Sequence, residues 1–378
     1  MLLTVAMAGT RPGSKIHTII RGMCPVALRR SWMAVSHSVE RASSPGELVR
    51  NWKEVIDTCN LSPDKRMDFV SRWLVLMRAC VFQMSLTSGL IGGLLAVSVG
   101  VINWFYFALA LVGLVVAHAA NNLSNDFFDL QEGLDTKDYP RALYAPHPVL
   151  SGLTTQRGLA TAFITLTAID ALIALYLTYV RGPLVLGFAA AGLLISLFYT
   201  AWPLKLKYHG LGELGVFLVW GPLMIGGTYF VAAGNLPSWI WAACLPYALA
   251  VTTVVMGKHL DKLPYDKPRG VRTLAVILGE VSTNRLIRGM MITFYVICLG
   301  LVLAGVVSVW VLLVLLSLPR LLKVWRIYAQ PKPTAPPENY AVWPLWFVSW
   351  AFYWVKLAGT LFVLGIILGA IFPYRLGM

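Results

Sequence analysis

Residues 121–138 read NNLSNDFFDLQEGLDTKD and carry Asp126, Asp129, Glu132, Asp135 and Asp138, five of the seventeen acids in the chain. Asn125 and Asp129 are spaced i, i+4 and share a face wherever a helix runs through both. Gly133 permits a break in that helix, after which Asp135 can fold back towards the same place. Carboxylates held together repel one another unless a cation neutralises them. Mg²⁺ suits such a group: it takes one or two carboxylates and completes its shell with water and phosphate oxygens. Asp126, Glu132 and Asp138 are expected to be solvated neighbours.

A second charged segment, MGKHLDKLPYDKPRGVRTLAVILGE over 256–280, mixes Asp261 and Asp266 with Lys258, Lys262, Lys267, Arg269 and Arg272. Carboxylates beside Lys and Arg point to a metal that carries a phosphorylated ligand. Asp261 and Asp266 stand about 140° apart on a continuous helix at ~100° per residue. Pro264 argues against continuity, so the two acids are expected to converge through a turn between them.

The elements that must position these groups follow from composition. The chain has 378 residues, 58% of them hydrophobic and 13% charged, and carries a formal net charge of +14. Its mean hydropathy of +0.70 belongs in a bilayer. Nine apolar stretches, centred near Leu90, Leu111, Ala168, Gly192, Leu223, Leu245, Cys298, Leu315 and Leu361, predict an all-α polytopic membrane protein with a nine-helix transmembrane bundle. Lys and Arg crowd alternate connections, and the opposite loops hold only Arg181. The positive-inside rule then puts the N-terminus and both acidic segments on the cytoplasmic side and the C-terminus on the other, in a bacterial inner membrane or an organelle membrane. The excess charge is membrane topology and implies no nucleic-acid partner. Five scattered cysteines without a CxxC imply neither a zinc site nor a disulfide framework.

Residues 1–39 are basic and free of acids, a bias shared by transit peptides and disordered extensions. Ser44, Pro45 and Glu47 mark a helix start, and Leu48, Trp52, Val55 and Ile56 recur at helical spacing. The expectation is a division into an N-terminal extension, 1–70, with an amphipathic interfacial helix, and a transmembrane domain, 71–378. GLGELG at 210–215 fits a dinucleotide fingerprint but follows no strand.

From about Arg72 onwards the chain resembles the intramembrane UbiA-type prenyltransferase superfamily, most closely its menaquinone (dihydroxynaphthoate) branch. The motifs that carry the resemblance are N-D-F-F-D-x-x-x-G-x-D at 125–135, Ser151-Gly152, the stretch from Tyr199 to Val231, and D-K-P-R-G-V-R-T-L-A-V-I-L-G from Asp266. The resemblance implies Mg²⁺-dependent transfer of a polyprenyl group from a prenyl diphosphate to an aromatic acceptor such as a quinone precursor, within membrane lipid. It assigns Asn125, Asp129 and Asp135 to a first metal–diphosphate motif and Asp261 and Asp266 to a second, with Asp129, Asp135, Asp261 and Asp266 as metal ligands. Lys258 and Arg272 foremost, then Lys205, Lys207, Lys262 and Arg141, are the candidates for holding diphosphate. Arg78 can snorkel or reach the pocket. Tyr199, among the aromatics near the helix ends, is a candidate for facing the carbocation, and His147 and His259 are candidate bases.

Two departures stand out. The family's second motif has Asn four residues before its first Asp and a four-residue Asp spacing; this chain has Gly257 and a spacing of five. Where many members have Asn-Arg-Pro-Leu before Ser-Gly, it has Pro146, His147, Pro148 and Val149. The alternatives are a non-quinone acceptor, an internal cyclisation, or a non-enzymatic transporter or lipid-binding protein. Transport needs polar groups at mid-membrane, whereas these acids stand at helix ends.

Overall fold

The computed structural model describes residues 44–338, 340 and 342–376, and all their regular structure is helical. The basic segment 1–39 lies outside the described residues. The chain begins with α1 (Pro45–Thr58), where the Ser44 side chain accepts from the Glu47 amide and Pro45 opens the helix. The short α2 (Phe69–Leu76) follows, started by Asp68, whose carboxylate accepts from the Val70 and Ser71 amides.

Among the described residues, seven helices are long and apolar enough to cross a membrane: α3 (Ala79–Val97), α4 (Trp104–Gln131), α5 (Gln156–Arg181), α7 (Gly212–Ala233), α8 (Trp239–Asp266), α9 (Leu274–Leu303) and α11 (Phe347–Ile371). The other two predicted spans are helical but short. α6 (Leu184–Leu197) has 14 residues and rises about 21 Å, less than a hydrocarbon core of about 30 Å. The segment from Val309 starts as a 3₁₀ helix to Ser317 and continues as α10 (Leu318–Tyr328). The expected nine spans thus resolve into seven of spanning length and two shorter helices.

α8 is the centre of the bundle and packs against α7, α9 and α11. Tyr247, Phe294, Trp354 and Phe362 fill the core around it. Several polar atoms carried into this core pair with one another: Trp354 Nε1 donates to Tyr295 Oη at 2.8 Å, and Tyr295 pairs with Ser317 Oγ at 2.6 Å. Water is absent from a bilayer interior, so such groups must find partners within the protein.

α1 is held to the bundle by Val55, which packs with Leu123, Leu153 and Leu159. Cys59 and Cys80 are joined by a disulfide across a Cα separation of 5.1 Å. The sequence reading had no ground for this pairing, because α2 folds back between two cysteines 21 residues apart. Cys244 and Cys298 are free and buried.

Helices approach closely where side chains are absent. A Cβ on Gly92 of α3 would lie 2.4 Å from the Ile225 carbonyl oxygen, whereas nothing stands within 4 Å of one on Gly187 of α6. Gly92→Val is therefore expected to destabilise by about 1–3 kcal/mol through overpacking. Gly187→Ala is expected to leave stability unchanged or raise it, through helix propensity. Thermal unfolding of the two variants in detergent checks the pair.

Candidate active site

α4 runs unbroken through Asn125 and Asp129 to Gln131, and Gly133 then takes the left-handed conformation, φ 72°. The Leu134 and Asp135 amides both donate to the Asp129 carbonyl, at 2.9 and 3.1 Å. Asp135 is folded back beneath the helix end, as the spacing anticipates. Asn125 Oδ1 accepts from Thr200 at 3.2 Å.

Asp126 departs from the expectation of a solvated neighbour. It is 2% exposed and is gripped by Arg141, Nε at 2.9 Å and Nη2 at 2.7 Å, and by Arg78 Nη2 at 2.8 Å. One position round α4 from Asn125, it faces the start of α3, where Arg78, at φ 55°, directs its guanidinium inward and also donates to the Asn122 carbonyl. Glu132 and Asp138 do lie at the rim, paired with Lys205 and Arg269. Lys205 therefore stands outside the inner cluster. Lys207, two residues further on, is buried and donates to both oxygens of Asp129, at 2.5 and 2.6 Å.

The second motif is arranged differently from the sequence expectation. α8 continues through Pro264 to Asp266, so no turn brings Asp261 and Asp266 together. Asp261 instead caps the start of α11: its oxygens accept from the Phe347 and Val348 amides at 3.0 and 2.9 Å, and Lys332 Nζ stands 3.2 Å away. It is fully buried among these partners and is not brought to the other acids. Asp266 is brought to them. Its Oδ1 accepts from Tyr139 Oη at 2.5 Å and lies 3.6 Å from Lys262 Nζ. Burial, then the Asp266 carboxylate, hold the Tyr139 phenol far above its ordinary pKa, so it stays protonated and donates. Arg272 is exposed and lines neither cavity described below.

Two adjoining cavities share this end of the bundle. The polar one is walled by Asp126, Asp129, Asp135, Arg141, Lys207 and Lys262. The other is an apolar chamber of about 710 Å³, lined by Phe188, Leu193, Trp220, Leu223 and Met224 among others. Arg78, Asn125, Tyr144, Tyr199 and Lys258 line both.

The residues present fit a divalent cation. Both Asp135 oxygens and Asp266 Oδ2 are buried without a hydrogen-bond partner, a costly state for a carboxylate in a dry site. Asp126, Asp135 and His147 place ligand atoms within 4.8 Å of one another, but Asp126 is already occupied by two guanidinium groups, so the unmet demand is at Asp135. His147 Nδ1 faces the Val149 and Leu150 amides, which donate to it at 3.3 Å each, and Nε2 lies 3.2 Å from Asp135. With Nδ1 accepting, its proton is on Nε2, which stands beside Asp135 at ion-pair distance but makes no hydrogen bond to it. His259 has other company: Nδ1 is 2.6 Å from Glu213, and Nε2 is 3.2 Å from Tyr199 Oη.

Sequence reading passed over Asp126, Tyr139 and Glu213 as members of this cluster. The usable signal was the four-residue recurrence of Lys258, Lys262 and Asp266, which a continuous α8 turns into one face.

Residues 85–350 match the model of the UbiA prenyltransferase family. The 1,4-dihydroxy-2-naphthoate octaprenyltransferase of Bacillus subtilis is 23% identical over 64% of this chain and 76% of its own. The protein of the same description from Mycobacterium tuberculosis is 30% identical over 58% and 73%. Among solved structures, that of a UbiA homolog from Archaeoglobus fulgidus bound to GPP and Mg²⁺ superposes with a TM-score of 0.51 at 13% identity, over 77% of this chain and 99% of that one.

The two acids singled out above respond oppositely to removal. Asp261→Ala strands Lys332 and two helix amides and is expected to cost on the order of 2–3 kcal/mol. Asp135→Asn removes a buried carboxylate without a hydrogen-bond partner and is expected to leave the metal-free unfolding temperature unchanged or higher. Thermal unfolding in chelator checks both.

Proposed function

The chain belongs to the UbiA prenyltransferase family, and from that premise we propose that it transfers a polyprenyl group from a prenyl diphosphate to an aromatic acceptor such as a quinone precursor, with Mg²⁺ as cofactor. The observation that carries this reading is the pair of cavities with a common wall. A charged pocket rich in Lys and Arg suits a diphosphate, and the chamber behind it suits an apolar chain. The Mg²⁺ and GPP of the archaeal neighbour and the naphthoate substrate of the curated relatives support the same donor and acceptor classes.

Asp135 and Asp266, which keep buried oxygens without a hydrogen-bond partner, would hold the metal, joined by Asp129 once Lys207 turns from it to the diphosphate; the metal when bound would supply positive charge to the diphosphate oxygens as the ester bond weakens. Lys207, Lys258 and Lys262 direct further positive charge at the leaving group. As the carbon–oxygen bond breaks, diphosphate departs with the electron pair and leaves an allylic cation at the mouth of the chamber. The Tyr144 and Tyr199 rings line that mouth and can face the cation, while the apolar walls exclude water.

The acceptor ring then forms the new carbon–carbon bond and must lose a proton. Burial, followed by the carboxylates Glu213, Asp129 and Asp266, keeps the Tyr199 phenol protonated far above its ordinary pKa, so it acts as a relay instead of a base. It accepts the ring proton as it passes its own to His259 Nε2, and Glu213 holds His259 with the Nδ1 proton towards itself.

Three of the spans end at the charged pocket with Lys- and Arg-bearing connections. By the positive-inside rule this pocket opens to the cytoplasm. The division into an N-terminal extension and a transmembrane domain is kept as a proposal, with α1 at the membrane surface.

Purified protein incubated with Mg²⁺, prenyl diphosphates of several lengths and a panel of phenolic and naphthoic acceptors is expected to release diphosphate and yield a prenylated ring. Lys207→Ala is expected to lower kcat by ~10²–10³ through loss of leaving-group stabilisation. Absence of diphosphate release with every donor contradicts the reading.

A further inference from the structure

We propose that Lys258 and Lys262 occupy the place of a second divalent cation, so that this site binds a prenyl diphosphate with one metal ion and two lysine ammonium groups. The inference rests on the donor assignment above. It concerns how this chain's own residues divide the charge of the ligand.

The argument begins with the phase of α8. Residues four apart drift by about 40° on a helix, so Lys258, Lys262 and Asp266 form one stripe and Gly257 and Asp261 form another. The second stripe is packed. A Cβ on Gly257 would meet Tyr328 Oη at 2.8 Å and Val348 Cα at 3.1 Å, and Asp261 is spent on the amides of Phe347 and Val348. An Asn side chain has no room at position 257, and a metal ligand at 261 would have to abandon the start of α11.

The first stripe faces the acids. Lys258 and Lys262 line the polar cavity, Lys262 Nζ stands 3.6 Å from Asp266 and 4.6 Å from the centre of the Tyr139 ring, and Asp266 receives the Tyr139 hydroxyl. Asn-x-x-x-Asp-x-x-x-Asp spacing is therefore retained in this chain at 258, 262 and 266, but with Lys, Lys and Asp. The five-residue spacing of Asp261 and Asp266 belongs to two different faces. Two positions that would be neutral or anionic ligands are cationic.

Charge closure agrees. Asp126, Asp129, Asp135 and Asp266 are met by Arg78, Arg141, Lys207, Lys258 and Lys262, leaving one positive charge in excess around the cavity. A bound diphosphate adds about three negative charges, and a single divalent ion at Asp129 and Asp135 brings the whole close to neutrality. A second ion would leave an uncompensated double charge inside a low-dielectric site. With the ammonium groups fixed on a helix, part of the leaving-group stabilisation is built into the chain.

The test counts metal. The full-length protein in detergent is loaded with geranyl S-thiolodiphosphate, an unreactive donor, and titrated with Mn²⁺, bound and free ion being separated by electron paramagnetic resonance. About one Mn²⁺ per chain is expected in the wild type, and about two in K258N/K262D, which restores the neutral and anionic ligands. A wild-type count of two, or of none, with the analogue bound overturns the inference and leaves the donor assignment standing. Failure of the analogue to bind at any Mn²⁺ concentration overturns the donor assignment, and the inference falls with it. The wild-type count decides the matter even where the double variant does not fold.

Discussion

Charge taken into a membrane bundle has to be neutralised inside it, and the bond between Asp126 and its two guanidinium partners is where this chain meets that constraint first. Arg78 comes from the start of α3, Asp126 from the C-terminal half of α4, and Arg141 from the short helix Pro140–Tyr144 beyond it. One carboxylate thus fixes three parts of the wall around the polar cavity. With Asp126 satisfied, Asp135 and Asp266 are left with buried oxygens that no protein group fills. That imbalance is what the proposed metal site rests on.

α8 serves two purposes on opposite stripes. Gly257 and Asp261 bind it to Tyr328 and to the start of α11, which stiffens the centre of the bundle. Lys258 and Lys262 present charge to the cavity from the same rigid helix, with Asp266 beside Lys262. A site built on a helix held this way keeps its geometry when the ligand leaves, which is what transition-state stabilisation by fixed charges needs. In the proposed reading the chamber beside it would let one ligand satisfy two opposite solvation demands, a charged head and an apolar tail, without opening the bundle to water.

How much of this was legible depended on whether local pattern or helix phase carried the information. Hydropathy located the helices of spanning length, but not α2, nor that α6 has only 14 residues or that the segment after Ser308 begins as a 3₁₀ helix. The first acidic motif was readable because Asn125, Asp129 and Gly133 are local signals, and the chain does turn at Gly133. The second was misread at Pro264. A proline near a helix end forfeits little hydrogen bonding, and α8 carries on past it, which sends Asp261 and Asp266 to different neighbours. Asp126 was taken for a solvated residue because its partners, Arg78 and Arg141, lie 48 and 15 residues away and only the fold unites them.

The central claim is that a diphosphate head at the Asp–Lys pocket directs an apolar tail into the adjoining chamber. A prenyl diphosphate bearing a photoreactive diazirine at its tail end, cross-linked to the protein in nanodiscs and mapped by mass spectrometry, tests it most directly. The account predicts labelling of chamber residues such as Phe188, Trp220 and Leu223, suppressed by excess unlabelled donor and by Lys207→Ala. Labelling confined to outward-facing residues such as Val296 and Leu303, and indifferent to the diphosphate, would contradict it.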